Sequence, residues 1–156
     1  MKHPIRVFAA TLALAAASTP AFVQAHGPVT PQAVDTKGLP DLGKQWRDEN
    51  PYRANPHALK VGASAYNQNC ARCHGLEAVS GGIAPDLRQL DRDCTGMKNA
   101  AKKAACYKEM DNYYLTSVRN GKVRNGAVYM PPFEGVFNQE AMWAIKTYLE
   151  SRRESN

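Results

Sequence analysis

Two thiols and an imidazole stand together in the run Cys70-Ala71-Arg72-Cys73-His74. At the end of a helix, thiols at this spacing can each form a thioether to one of the two vinyl groups of a haem. The adjacent imidazole then lies beneath the iron, donating through Nε2 while a carbonyl holds Nδ1–H and fixes the ring plane. The competing use is a structural disulfide or a zinc site, since Cys70, Cys73, Cys94 and Cys106 could supply four thiolates. Zinc motifs usually close with a second short-spaced pair, which Cys94 and Cys106 do not form, so one covalent haem c is the leading reading.

The sixth position on the iron decides between electron transfer and catalysis. A thioether sulfur favours ferrous iron, raises the reduction potential and closes the metal to dioxygen. Beyond the first 25 residues the candidates are Met97, Met110, Met130 and Met142, with His26 and His57 as nitrogen alternatives. Met142 falls among apolar positions of a helix, where methionine fills gaps, and Met97 and Met110 lie in or near a polar insert. Met130 occurs in Tyr129-Met130-Pro131-Pro132-Phe133, where two prolines stiffen the chain and hold a sulfur in place at low entropic cost. Met130 is therefore the expected second axial ligand.

A carrier needs no acid/base constellation, and the sequence offers none. The other class, a haem enzyme or sensor such as a peroxidase, needs an open or displaceable sixth position. His57, the obvious distal histidine for it, stands at the start of a helix, which disfavours that role.

The first residues read as a secretory leader. Lys2 and Arg6 form a positive region, residues 7–17 an apolar one, and Val23-Gln24-Ala25 a small-residue site, which predicts cleavage before His26. An uncleaved anchor is the alternative, but the apolar run falls short of the roughly 18 residues needed to span and breaks at Ser18-Thr19-Pro20. The expectation is a periplasmic protein without a membrane anchor, in a compartment where disulfides persist. Cys94 and Cys106 are then expected to form one, stapling an insert whose polar, basic residues 98–107 read as a short helix; a redox switch is the alternative use of the pair.

The formal net charge is +6 and loses Lys2 and Arg6 with the leader. So mild and scattered a balance does not support nucleic-acid binding, for which there is neither a basic stripe nor an aromatic stacking motif. Lys98, Lys102, Lys103 and Lys108 concentrate positive charge in the insert, either as a solvated helix face or as a docking patch for an acidic partner.

The elements that must position these residues are helical. Residues 26–56 carry five prolines and few apolar side chains, an irregular extension with Trp46 as its expected anchor. Asn55-Pro56 caps and opens a helix that runs to the thiols and sets Ala58, Gly62, Ala65, Tyr66 and Asn69 on one face. A second helix is predicted over 113–119, ending at Asn120-Gly121. The last starts at an Asn138 cap, carries Glu140 in its first turn, sets Ala141, Ile145, Tyr148 and Leu149 on one side, and ends near Arg152 and Arg153. With no strand-like alternation and no repeat, the class is all-α: three to five helices enclosing a single haem, the leader being 1–25, the extension 26–56 and the domain 57–156.

Residues 57–150 resemble a class I cytochrome c. In that family an N-terminal helix ending in the haem motif crosses a C-terminal helix; Gly62 and Tyr66 match the first, Ile145 and Tyr148 the second. The resemblance implies that Gly81-Gly82-Ile83-Ala84-Pro85-Asp86-Leu87 is the turn whose proline carbonyl, that of Pro85, holds the His74 imidazole. It also implies that Met130, in its proline-flanked loop, is the second ligand. Asn50-Pro51-Tyr52, the haem motif, the Cys94/Cys106 insert and Met130-Pro131-Pro132-Phe133 together look like the small periplasmic cytochromes that accept electrons from PQQ-dependent alcohol dehydrogenases. That likeness implies such an enzyme as donor, a terminal oxidase or another cytochrome as acceptor, and a monomer.

Overall fold

The computed structural model describes residues 30–154; the expected leader, its expected cleavage site and His26 lie outside them. Five α-helices follow in order: α1 (Pro56–Asn69), α2 (Ala71–His74), α3 (Arg92–Thr95), α4 (Ala100–Asn120) and α5 (Gln139–Ser151). A two-stranded antiparallel hairpin, β1 (Lys122–Arg124) and β2 (Ala127–Met130), stands between α4 and α5.

α1 begins because the Asn55 side chain accepts from the backbone N–H groups of His57 and Ala58 and Pro56 opens the first turn. Its buried face is Ala58, Gly62, Ala65, Tyr66 and Asn69. Gly62 is where α5 crosses: a Cβ here would run into the Ala144 carbonyl, so only hydrogen lets the two backbones meet. One turn on, the Tyr66 and Tyr148 rings pack with centroids 5.1 Å apart, and the Tyr66 hydroxyl donates to Gly75 O at 2.8 Å, tying α1 to the end of α2.

α5 is buried all round, from Gln139 to Leu149, rather than along one side as its apolar stripe suggests. Three of its polar residues, Gln139, Glu140 and Thr147, are covered because the extension supplies their partners. Glu140 accepts from Leu42 N at 2.8 Å, Gln139 Nε2 donates to Gly43 O at 2.6 Å, and Thr147 Oγ1 donates to Tyr52 O at 3.2 Å. The extension is thus strapped across α5, and its anchors are Leu42, Asn50 and Tyr52, all buried. Trp46, the expected anchor, is only partly buried; the Arg119 guanidinium lies over its ring at 4.2 Å.

Two expected helices, 98–107 and 113–119, are one 21-residue helix. Asn99 caps it through Lys102 N, and no glycine or proline interrupts the chain before Gly121, so the mostly polar residues 108–112 continue the helix instead of breaking it. Among the described residues the hairpin holds the only paired strands in an otherwise helical architecture. Asn125 and Gly126 both have positive φ (51° and 77°), as a two-residue hairpin turn of the favoured hand requires. Strands of three and four residues are too short to show alternation in sequence.

α4 and α5 are joined beneath the surface by charge. Lys146, 1% exposed, has Nζ 3.1 Å from Asp91, 3.3 Å from Asp111 and 3.1 Å from Glu150. Arg53 of the extension reaches Asp111 at 2.6 Å and Arg153 reaches Asp91 at 2.6 Å, so three carboxylates face three cations. Arg152 pairs with Glu77, so both terminal arginines are engaged in ion pairs.

Candidate haem site

A cavity of about 650 Å³ opens between the end of α1, the 81–87 turn, α4, the hairpin and α5. Cys70, Cys73 and His74 line it on one side because α2 continues the rotation of α1: Cys70 N donates to Tyr66 O at 2.8 Å and His74 N to Cys70 O at 2.9 Å. Burial, followed by the neighbouring Cys73, pushes the Cys70 thiol up to about 12, so it stands protonated at neutral pH. Neither thiol is bonded.

His74 is oriented from outside the cavity. Its Nδ1–H donates to Pro85 O at 2.9 Å; a carbonyl can only accept, so the hydrogen sits on Nδ1 and Nε2 keeps its lone pair. Burial lowers the imidazole pKa against the opposing pull of that carbonyl, favouring the neutral, donating ring. The turn that presents Pro85 is held at both ends: Gly82 N donates to Ser80 Oγ at 3.0 Å, and Asp86 accepts from Arg88 N at 3.0 Å and Arg88 Nη2 at 2.6 Å.

Met130 ends β2 and lines the same cavity. The chain beyond it is pinned: Phe133 N donates to Val118 O at 3.0 Å, Glu134 pairs with Arg119 at 2.7 Å, and the Phe133 and Phe137 rings pack at 4.8 Å. Gly121, at φ +68°, lets the end of α4 pass against the Met130 carbonyl, where a Cβ would collide. The other candidates lie elsewhere. Met142 is fully buried in α5, Met97 is exposed, Met110 is off the cavity, and His57 Nε2 is 3.0 Å from Lys37 O at the far end of α1.

Cys94 and Cys106 are joined to each other with Cα atoms 5.6 Å apart, linking α3 to α4. That leaves two thiols, not four, and among the described residues no cluster of three or more His, Cys, Asp or Glu side chains could hold a metal ion. The donor set and the apolar walls, Leu87, Leu90, Val118, Phe137, Ile145 and Leu149, fit a haem bound through two thioethers and not a zinc ion. The lysine patch of the insert is partly neutralised: Lys108 pairs with Asp48 at 2.8 Å and Lys103 Nζ donates to Thr95 O at 3.1 Å. None of its four lysines lines the cavity.

Sequence reasoning did not assign Tyr113, Tyr114, Ser117, Lys122 or Arg124 to the site. The α4 residues carried a signal in the spacing of Tyr114, Ser117 and Val118 along one helix face. The β1 residues carried none, because only the hairpin turns them towards the cavity.

A family profile described as cytochrome c oxidase, cbb3-type, subunit III matches residues 57–149. Cytochrome c550 of Pseudomonas aeruginosa is 54% identical over 145 residues, 90% of this chain and 90% of that protein. Two Pseudomonas putida proteins are more distant. Quinohemoprotein alcohol dehydrogenase ADH-IIG is 33% identical over 95 residues, 61% of this chain but 11% of the enzyme. Quinohemoprotein alcohol dehydrogenase ADH IIB is 30% identical over 113 residues, 72% of this chain and 14% of the enzyme. No solved structure gives a significant match.

Proposed function

Because this chain belongs to the class I c-type cytochromes, electron carriers with covalently attached haem c, we propose that it is a periplasmic carrier of single electrons between a PQQ-dependent alcohol dehydrogenase and a terminal oxidase or another cytochrome. In this reading the leader is 1–25, the extension 26–56 and the cytochrome domain 57–156.

The observation that carries the site assignment is that one cavity is faced by two free thiols, an imidazole with its Nε2 lone pair free, and one methionine sulfur. Cys70 and Cys73 would hold the macrocycle through two thioethers, and His74 Nε2 and the Met130 sulfur would donate to its iron. When bound, the haem supplies an iron that takes up and releases one electron. Pro85 O keeps the imidazole plane and tautomer fixed through both charge states, and the Pro131-Pro132 segment does the same for the sulfur. With both donors engaged and apolar walls around them, the chain would exclude water and small ligands from the iron.

The donor assignment rests on the likeness to a segment of two quinohaemoprotein alcohol dehydrogenases, whose names couple a quinone, a haem and alcohol oxidation. A carrier resembling the haem segment of such enzymes suits a dehydrogenase that lacks one. The apolar h-region of the leader and the Cys94–Cys106 bond support export to an oxidising compartment. No helix among the described residues is long and apolar enough to cross a membrane. The test is stopped-flow reduction of the ferric protein by the PQQ-dependent alcohol dehydrogenase of the same organism with alcohol present. Rapid, saturable reduction is expected; slow reduction by the enzyme beside immediate reduction by a chemical reductant would refute this donor and leave another periplasmic dehydrogenase in its place.

A further inference from the structure

We propose that Lys122 and Arg124 of β1 hold the two carboxylates of the haem. The inference rests on the haem reading and extends it to residues that the attachment motif and axial ligands leave unassigned. A haem brings two ionised propionates to a cavity whose walls are mostly apolar, and a carboxylate there needs cationic partners.

Apart from phenols and thiols, the ionisable side chains lining the cavity are His74, Asp86, Lys122 and Arg124. His74 is committed to Pro85, and Asp86 to Arg88 at 2.6 Å. Two cations remain for two carboxylates. Neither Lys122 nor Arg124 forms an ion pair among the described residues, whereas Arg53, Arg88, Arg119, Arg152 and Arg153 all do.

The hairpin places them. Lys122 pairs in register with Met130, so β1 stands beside the strand that carries the sulfur. Lys122 Nζ lies 4.8 Å from the centre of the Tyr113 ring, another wall of the cavity, which holds the ammonium at the rim. The tight Asn125-Gly126 turn closes the ribbon directly after Arg124, whose planar fork suits a carboxylate bidentately. The other titratable groups facing the cavity are the phenols of Tyr113, Tyr114 and Tyr129 and the two thiols. None of these supplies a positive charge.

A cation beside each propionate offsets negative charge that would otherwise favour ferric iron. The test uses the purified holoprotein with Lys122→Gln, Arg124→Gln and the double substitution, with Lys102→Gln as a control for loss of one exposed charge off the cavity. The midpoint potential is measured across pH. Each cavity variant is expected to show a lower potential than Lys102→Gln, the double variant the lowest. A pH-dependent step absent from the parent is expected to appear as a propionate without its partner begins to titrate. Lys122→Arg and Arg124→Lys, which keep the charge and the hairpin, are expected to retain the parent potential. Potentials and pH profiles in the neutral variants that match Lys102→Gln overturn the proposal, as does an equal fall in the charge-keeping pair. Absence of covalent haem from the parent protein would instead overturn the site reading beneath it.

Discussion

His74 owes its free Nε2 lone pair to a carbonyl eleven positions along the chain, and Met130 comes to the same cavity from a separate segment. The two proposed donors are therefore built independently, and one can be removed without dismantling the other. Met130→Ala is expected to leave the haem attached and His74 in place while opening ferric iron to cyanide or imidazole. Affinity for the added ligand should rise about tenfold for each 1.4 kcal/mol that displacing the sulfur had cost; spectral titration of parent and variant reads this directly. Met142→Ala should leave ligand binding unchanged and lower stability by about 2–5 kcal/mol, since its side chain is wholly packed. What was legible at this scale was local. Cys70, Cys73 and His74 announce their chemistry within five residues, and the prolines single out Met130. Lys122 and Arg124 gave no such sign, because their place at the cavity depends on a turn that folds the chain back.

Among the elements, the crossing of α1 and α5 depends on one missing methyl group. Gly62→Ala sets a carbon against the Ala144 carbonyl and must push the helices apart, at a cost of about 1–3 kcal/mol from overpacking. A lowered midpoint in thermal or denaturant unfolding of the holoprotein would show it, and an unchanged midpoint would mean the crossing yields freely. The disulfide acts on a different pair, α3 and α4, closing a loop with a sequence separation of 12. Its reduction should cost at most about 3 kcal/mol and leave the absorption spectrum of the haem intact, since neither cysteine lines the cavity. The helices flanking the site were readable from caps and spacing: Asn55, Asn138 and the face through Gly62 and Tyr66 all announce themselves. The continuity of α4 was not, because residues 108–112 are mostly polar. Their burial partners, Lys146 and Arg53 for Asp111, come from distant segments.

Over the whole molecule, the buried ions make stability depend on acid. Burial alone would raise Asp91 and Glu150, but the hydrogen bonds and charges of Arg153 and Lys146 around Asp91, and of Arg53 and Lys146 around Glu150, outweigh it and hold both below the usual carboxylate range. Depressed folded values mean that the stabilisation is complete above the unfolded values near 4 and is lost as pH falls through the lower folded ones. The thermal midpoint should therefore fall steeply below about pH 4. Asp91→Asn should flatten that fall while costing about 3 kcal/mol at neutral pH, by stranding Lys146 without one of its partners. The extension belongs to the same unit, through Arg53 and the contacts of Asn50 and Tyr52 with α5. Deleting residues 26–50 should lower the midpoint, and an unchanged value would reduce the segment to a tail.

The meeting of α1 with α5 also holds the two sides of the cavity together. Gly62 meets Ala144 across most of the length of the domain, and because the cost of closing a loop grows only slowly with its length, so wide a span is little harder to close than a shorter one. Cys70 and Cys73 follow directly on the first of these helices, while Ile145 and Leu149 of the second form part of the opposite wall. Any loosening of the crossing therefore withdraws wall from the cavity, which makes this long-range contact its latch.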